Sequence, residues 1–177
     1  MNKTLTALLA STAIMFSTAN LEAAKQNNQP KKAVTKDWTV AIFLNADNNL
    51  DYFGVQDQKE MAKVGSNDYM NIVTLIDRER GPAQINYIEK DNIIKIKDMG
   101  ELDMGDYKEF VKFVKFVKEN YPAKHYCFNI WNHGSGWKDK RKDIVRGVSY
   151  DDSSNNHITT NQLTIALKEA NQILGQK

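Results

Sequence analysis

The hexapeptide Asn132-His133-Gly134-Ser135-Gly136-Trp137 follows directly on an apolar stretch, Tyr126-Cys127-Phe128-Asn129-Ile130-Trp131. An imidazole at such a place can take up or release a proton near neutral pH, and glycines beside it let a second backbone come close. In open α/β sheets, functional groups collect where strands give way to loops at their carboxyl ends. Two readings of His133 stand at this point. It is an acid–base group, or it caps a strand end while Gly134 and Gly136 serve only the turn.

The other chemistry-bearing residues read more simply. Cys127, the one cysteine of the 177 residues, lies six residues upstream of His133, roughly 20 Å along an extended chain, and reads as a small buried hydrophobe. A single cysteine excludes an internal disulfide framework and a Cys-based zinc site. Ser135 is flanked by glycines but does not form a Gly-x-Ser-x-Gly elbow, which leaves it a turn role. Asp151-Asp152-Ser153-Ser154-Asn155-Asn156 offers many oxygens at a spacing unlike an EF-hand loop, and reads as an Asx-rich surface turn. Asp47, Asn48 and Asn49 offer oxygens for an ion as well, but turn formation and helix capping suffice to account for them. His125 and His157 have no partner pattern.

The elements that must carry these residues alternate between strand and helix. Trp38 to Leu44 is a nearly continuous apolar run, the pattern of a strand covered on both faces in a parallel sheet. A helix over about Leu50 to Val64 follows, with Leu50, Phe53 and Met61 as buried candidates. Asn71 to Ile76 is a second buried strand, and Gln84–Glu89 with Ile93–Lys97 reads as a hairpin added to the sheet. Phe110, Val111, Phe113, Val114 and Val117 recur at helical spacing between Asp106 and Asn120, and Tyr121-Pro122 ends that helix. Tyr126 to Trp131 is the third core strand. After a charged loop, Lys138 to Arg146, come a short strand at Gly147 to Tyr150 and a last helix opened by the capping box Thr159-Thr160-Asn161-Gln162. That helix has Leu163, Ala166, Leu167, Ala170 and Leu174 on one face, with Gly175 at its C′ position. The order is that of an α/β sheet with crossover helices. The last helix is not followed by the strand to which a crossover normally returns, so the sheet is expected to lack its C-terminal strands.

Ahead of this body, Met1-Asn2-Lys3-Thr4, an apolar run from Leu5 to Phe16 and small residues at Ala19 and Ala23 make a secretory signal peptide over residues 1–23. Cleavage after Ala19 or after Ala23 fits equally. Residues 24–36, built of Gln, Asn, Pro, Ala and Lys, form a disordered leader, and 37–177 is the folded part. Setting aside Lys3, Lys25, Lys31, Lys32, Lys36 and Glu22 from 24 basic and 22 acidic residues leaves 19 against 21. The positive net charge therefore resides in the leader, and nothing points to nucleic acid. No later apolar run is long enough to cross a membrane. A secreted or periplasmic product is expected.

Trp38-Thr39-Val40 leading into Ala46-Asp47-Asn48-Asn49-Leu50, together with Asn132-His133-Gly134-Ser135-Gly136-Trp137 after a strand, resembles the clostripain family of cysteine peptidases. The resemblance implies a caspase-like sheet of mostly parallel strands with flanking helices and an added hairpin. It also implies an endopeptidase cleaving after Arg or Lys. His133 would serve as general base or imidazolium partner of a thiolate, and the Gly134 N–H would be an oxyanion donor. The family's cysteine, in an Asp-Ala-Cys strand, has no counterpart before Lys177, so the chain alone is expected to be inactive. A C-terminal heavy chain would supply that cysteine. Calcium is left open as a cofactor, since some family members depend on it. In such a family the run Lys138 to Asp143, with Arg146, reads either as a solvated loop or as an activation-cleavage segment. The alternative to the enzyme is a degenerate member that at most binds peptides or associates with a homologous segment.

Overall fold

Lys36–Ala46 (β1) runs through the middle of a five-stranded sheet, as its uninterrupted apolar sequence requires. Ala41 and Phe43 point to one face, Ile42 and Leu44 to the other, and all four are buried. The computed structural model describes residues 34–134 and 147–175. The signal peptide, most of the leader, Ser135, Gly136, Trp137, the charged loop to Arg146 and Lys177 lie outside the described residues. Lys36, which composition places in the leader, is the first residue of β1. Its Nζ donates to the Asn67 carbonyl at 2.6 Å.

Met70–Arg78 (β2) pairs parallel to β1 on one side and Ala123–Trp131 (β5) pairs parallel to it on the other. Ala83–Glu89 (β3) and Asn92–Gly100 (β4) form the added hairpin beyond β2, both pairings antiparallel. The sheet order is β4-β3-β2-β1-β5, so β3 alone runs against the other four strands. Among the described residues β5 is an edge strand.

One face of the sheet is covered by Tyr107–Asn120 (α2) and Thr160–Leu174 (α3). Asp106 caps α2 by accepting from the Lys108 N–H, and Phe110, Phe113, Val114 and Val117 go fully inside against Phe43, Val73 and Leu75. Each such aromatic contributes on the order of 2–3 kcal/mol through the area it removes from water. The capping box of α3 is present, both reciprocal bonds between Thr159 and Gln162 being made, and Gly175 takes the left-handed conformation at its end. Ala166 and Ala170 form the buried edge of α3, whereas Leu167 is exposed.

Asp51–Val64 (α1) covers the opposite face. Its buried residues are Gly54, Gln58 and Ala62, not Leu50, Phe53 and Met61: Leu50 and Met61 are half-buried and Phe53 is exposed. Close approach selects this small-residue face, because a Cβ on Gly54 would stand 2.7 Å from Leu44 Cδ2 and 2.8 Å from Ala46 Cβ. Gln58 satisfies its buried amide by donating to Thr74 Oγ1 at 2.6 Å. The helix ends at Gly65, whose φ of 67° and ψ of 174° are open essentially to glycine alone.

Gly147–Asp151 (β6) and Asn156–Thr159 (β7) form a separate antiparallel pair. The second of these strands is absent from the sequence reading. Cys127 also differs from that reading, for it is exposed. It lies on the α1 face of β5 with His125, beyond the reach of α1, while Tyr126, Phe128 and Ile130 pack toward α2 and α3.

Candidate active site

Because β1, β2 and β5 are parallel, their carboxyl ends share one edge, where Leu44 opposes Trp131 and Ala46 opposes Arg78. His133 emerges there two residues after β5. It is exposed, and its Nε2 lies 2.8 Å from the Asn49 side-chain oxygen. An amide oxygen can only accept, so in the neutral ring Nε2 carries the proton and Nδ1 keeps the lone pair a base requires. The structure thus joins His133 to the Asp47-Asn48-Asn49 turn.

Asn132 anchors the segment. Its Nδ2 donates to the Asn45 carbonyl at 2.7 Å and to the Tyr150 carbonyl at 3.0 Å, and its Oδ1 accepts from the Tyr150 N–H at 3.0 Å. Around it, Asn45 donates to Ser149 Oγ at 3.1 Å, Asn48 donates to the Tyr150 carbonyl at 2.8 Å, and the Asp152 N–H reaches the Asp47 carbonyl at 2.9 Å. The β6–β7 pair is thereby sewn onto the end of β1. Gly134 forms an isolated antiparallel bridge with Val148. Among the described residues a Cβ at position 134 would meet nothing nearer than Val148 Cγ1 at 4.0 Å.

Cys127 makes no contact with His133. Of the other two histidines, His125 packs against Trp38 at 4.9 Å between ring centroids, and His157 stacks on Tyr150 at 4.8 Å. Asp151 is buried rather than at the surface. Its carboxylate accepts from the Met104 N–H at 3.0 Å and the Ser154 N–H at 2.8 Å, which commits it to holding the turn.

The sequence reading gives Asp47 and Asp151 turn roles and Asp77 none, whereas the structure buries all three acids at this edge. Asp47 and Asp77 are buried, and both oxygens of the first and one oxygen of the second have no hydrogen-bond partner. Burial pushes the Asp77 carboxyl up to about 7, the charges of Glu101, Asp151 and Asp47 adding to it and the Arg78 N–H opposing. Asp151 is raised as well, chiefly by burial. Asp51 is lowered by its hydrogen bonds from the Arg78 guanidinium at 2.7 and 2.8 Å. Parallel register was the available signal for the acid group, since it sets Asn45 opposite Asp77.

A stability prediction follows from Asp77. Its folded value lies above the ordinary 3.8, so between about pH 4 and 7 the native state holds a proton that the unfolded chain has released. Stability therefore falls as pH rises through that window and levels off above it. A three-unit rise converts to about 4 kcal/mol, and sharing among the neighbouring acids reduces the expected loss to about 2 kcal/mol. Asp77→Asn is expected to flatten this slope and to be the more stable protein at pH 8, as read from urea midpoints. Identical slopes for both proteins would remove Asp77 as the cause.

Comparison with known proteins agrees with this arrangement. A model of the Clostripain family matches residues 42–175. Clostripain of Hathewaya histolytica is 26% identical over 163 residues, covering 76% of this chain and 31% of the relative. This chain thus spans about a third of that relative's length. An inactive zymogen C11 protease from Parabacteroides distasonis superposes with a TM-score of 0.51 at 25% identity, over 60% of this chain and 33% of that one. A secreted C11 cysteine protease from Bacteroides thetaiotaomicron, solved with an irreversible peptide inhibitor, superposes with a TM-score of 0.59 over 76% of this chain and 39% of that one; at 19% identity this is a likeness of fold. The sheet of mostly parallel strands, with helices on both faces and an added hairpin, is the caspase-like arrangement of these proteins. With its family model matched across most of the folded part, the chain belongs to the clostripain family.

Proposed function

We propose that this chain is the histidine-bearing portion of a secreted cysteine endopeptidase, which cleaves after basic residues with a cysteine carried on a strand outside this chain. The observation that carries the reading is the position of His133. It stands at the carboxyl end of edge strand β5, held by Asn49 and by the Asn132 bonds, with an accessible ring. A further strand pairing with the outer edge of β5 would bring a cysteine at its own carboxyl end beside that ring.

In this arrangement His133 takes the thiol proton, and the thiolate attacks the scissile carbonyl carbon to form a C–S bond. The Gly134 N–H donates to the developing oxyanion. Imidazolium then gives its proton to the departing amine as the C–N bond breaks. Water attacks the thioester, His133 takes its proton, and the acid is released with return of the thiolate. The N-terminal apolar segment supports export, and the Bacteroides thetaiotaomicron relative is described as secreted. Among the described residues no helix is long and apolar enough to cross a membrane.

The test mixes purified chain with the C-terminal portion of a full-length relative that contains the Asp-Ala-Cys strand. Hydrolysis of Arg- and Lys-ended reporter peptides is expected from the mixture and not from this chain alone, because no acyl-enzyme forms without a thiolate at His133. Co-elution of the two pieces without hydrolysis would replace the enzyme with a peptide-binding or association module. Turnover by this chain alone would overturn the missing-nucleophile account.

A further inference from the structure

The folded part carries more acids than bases, yet no acid lines the pocket between α1 and the β3–β4 hairpin. That pocket, of about 240 Å³, has Arg78, Arg80 and Lys95 in its walls. Arg78 is taken up by its two bonds to Asp51. Lys95 meets Asp98 only at 3.7 Å, both side chains being about half exposed, and such a pair is worth little against water. Arg80 is exposed and forms no ion pair among the described residues; Asp51 feels only its field. Arg80 and Lys95 are therefore available to an anion.

The sheet beneath them calls for a donor as well. Asn86 of β3 pairs in register with Thr74 of β2, and Thr74 bonds to Gln58 of α1, so the Asn86 side chain stands on the α1 face. It is 3% exposed, and its side-chain oxygen has no hydrogen-bond partner. An amide oxygen can only accept. Leaving it unmet costs about 1–3 kcal/mol, so an occupant that donates to it binds better. An ammonium is the wrong donor here, since Arg80 and Lys95 repel it, and a neutral N–H fits. Val55, Ile76 and Ile93 add an apolar wall. The volume is below the roughly 300–1,000 Å³ usual for drug-sized ligands, which limits the occupant to about one residue.

A carboxylate, a neutral N–H and a side chain within one residue are what the end of a peptide presents. We propose that this pocket binds the C-terminal residue of a peptide. Its carboxylate pairs with Arg80 and Lys95, its N–H donates to Asn86, and an apolar side chain packs against Val55, Ile76 and Ile93. In the sheet order β1 stands between the pocket's strands and β5, and α1 turns Asp57 toward Trp131 on its other side. The pocket is thus separate from His133, and the proposal is independent of the peptidase reading.

The test titrates isotope-labelled chain with N-acetyl-leucine, N-acetyl-leucine amide, isocaproate and inorganic phosphate, following backbone amides by NMR. Saturable shifts at residues 80, 81, 84, 86 and 95 are expected with N-acetyl-leucine. The amide probe lacks the carboxylate and isocaproate lacks the N–H, and each is expected to bind roughly tenfold more weakly or worse. Arg80→Gln combined with Lys95→Gln, both at exposed positions, is expected to weaken N-acetyl-leucine by roughly tenfold or more while the remaining spectrum stays folded. No shift at these amides, equal binding of the amide probe, or equal binding by the double variant would each overturn the proposal. Isocaproate binding as tightly as N-acetyl-leucine would make this a site for free carboxylates and overturn the peptide end. Phosphate binding as tightly as N-acetyl-leucine would reduce it to a general anion patch and overturn it likewise.

Discussion

Alanine in place of His133 is expected to lower kcat/KM of the complemented enzyme by roughly four orders of magnitude, with little change in assembly. The size of the effect comes from two roles that fail together. Without the imidazole the thiol stays largely protonated, and the leaving amine has no proton donor. Nothing nearby replaces it: His125 is engaged with Trp38, and His157 is stacked on Tyr150. Assembly is spared because His133 is exposed and its one described side-chain bond goes to Asn49. Cys127→Ala serves as the control and is expected to leave activity unchanged, since that thiol is on the α1 face of β5, away from the strand's carboxyl end. Retention of more than about a tenth of the rate by His133→Ala would end the assignment of this histidine as the acid–base group.

Gly65→Ala is expected to cost about 4 kcal/mol of stability, a large part of the roughly 5–15 kcal/mol that holds an ordinary domain folded. Two costs add. The backbone at φ 67° and ψ 174° strains any residue with a side chain. The added Cβ would also run into the backbone of the β3–β4 turn, striking the Lys90 nitrogen and the Glu89 carbonyl carbon and standing 2.6 Å from Lys90 Cα. That turn cannot retreat easily, because the Asp91 N–H donates to the Ala62 carbonyl at 2.7 Å and the Ser66 N–H to the Ile88 carbonyl at 2.8 Å. Gly81→Ala separates the two costs, for Gly81 has φ 101° with nothing within 4 Å of a built Cβ. It should lose only about 1–2 kcal/mol. Urea denaturation of the three proteins measures both values, and a loss below about 1 kcal/mol at Gly65 would refute the clash.

The parts of this fold that sequence discloses are those whose signal is local. Continuous apolar runs announce β1 and β2, the spacing of Phe110, Phe113, Val114 and Val117 announces α2, and the Thr159 and Gln162 pair announces the start of α3. His133 becomes a candidate the same way, from a strand followed by a His-Gly motif. What stays hidden depends on contacts between distant segments. The buried face of α1 is made of Gly54, Gln58 and Ala62 because the helix lies too close to Leu44 and Ala46 for larger groups, and hydrophobicity alone points instead to Phe53. Strand β7 spells Asn-His-Ile-Thr, in which only Ile158 enters the core. Cys127 has the apolar neighbours of a core strand, yet its strand lies at the sheet edge among the described residues. The group of Asp47, Asp77 and Asp151 exists only once parallel register has aligned the strand ends.

The stitching of β6–β7 onto the end of β1 also bears on when the site forms. The bonds that fix Asn45 and Asn48 go to Ser149 and Tyr150, partners 104 and 102 residues later in the chain. Asn132 meets Asn45 across 87 residues. Contacts this remote are closed late, after the local helices and the hairpin have formed. During synthesis the strand ends of β1 and β2 therefore remain open until residues 149–151 have left the ribosome, and their acids stay hydrated until then. The platform beneath His133 is accordingly among the last parts of the molecule to become rigid.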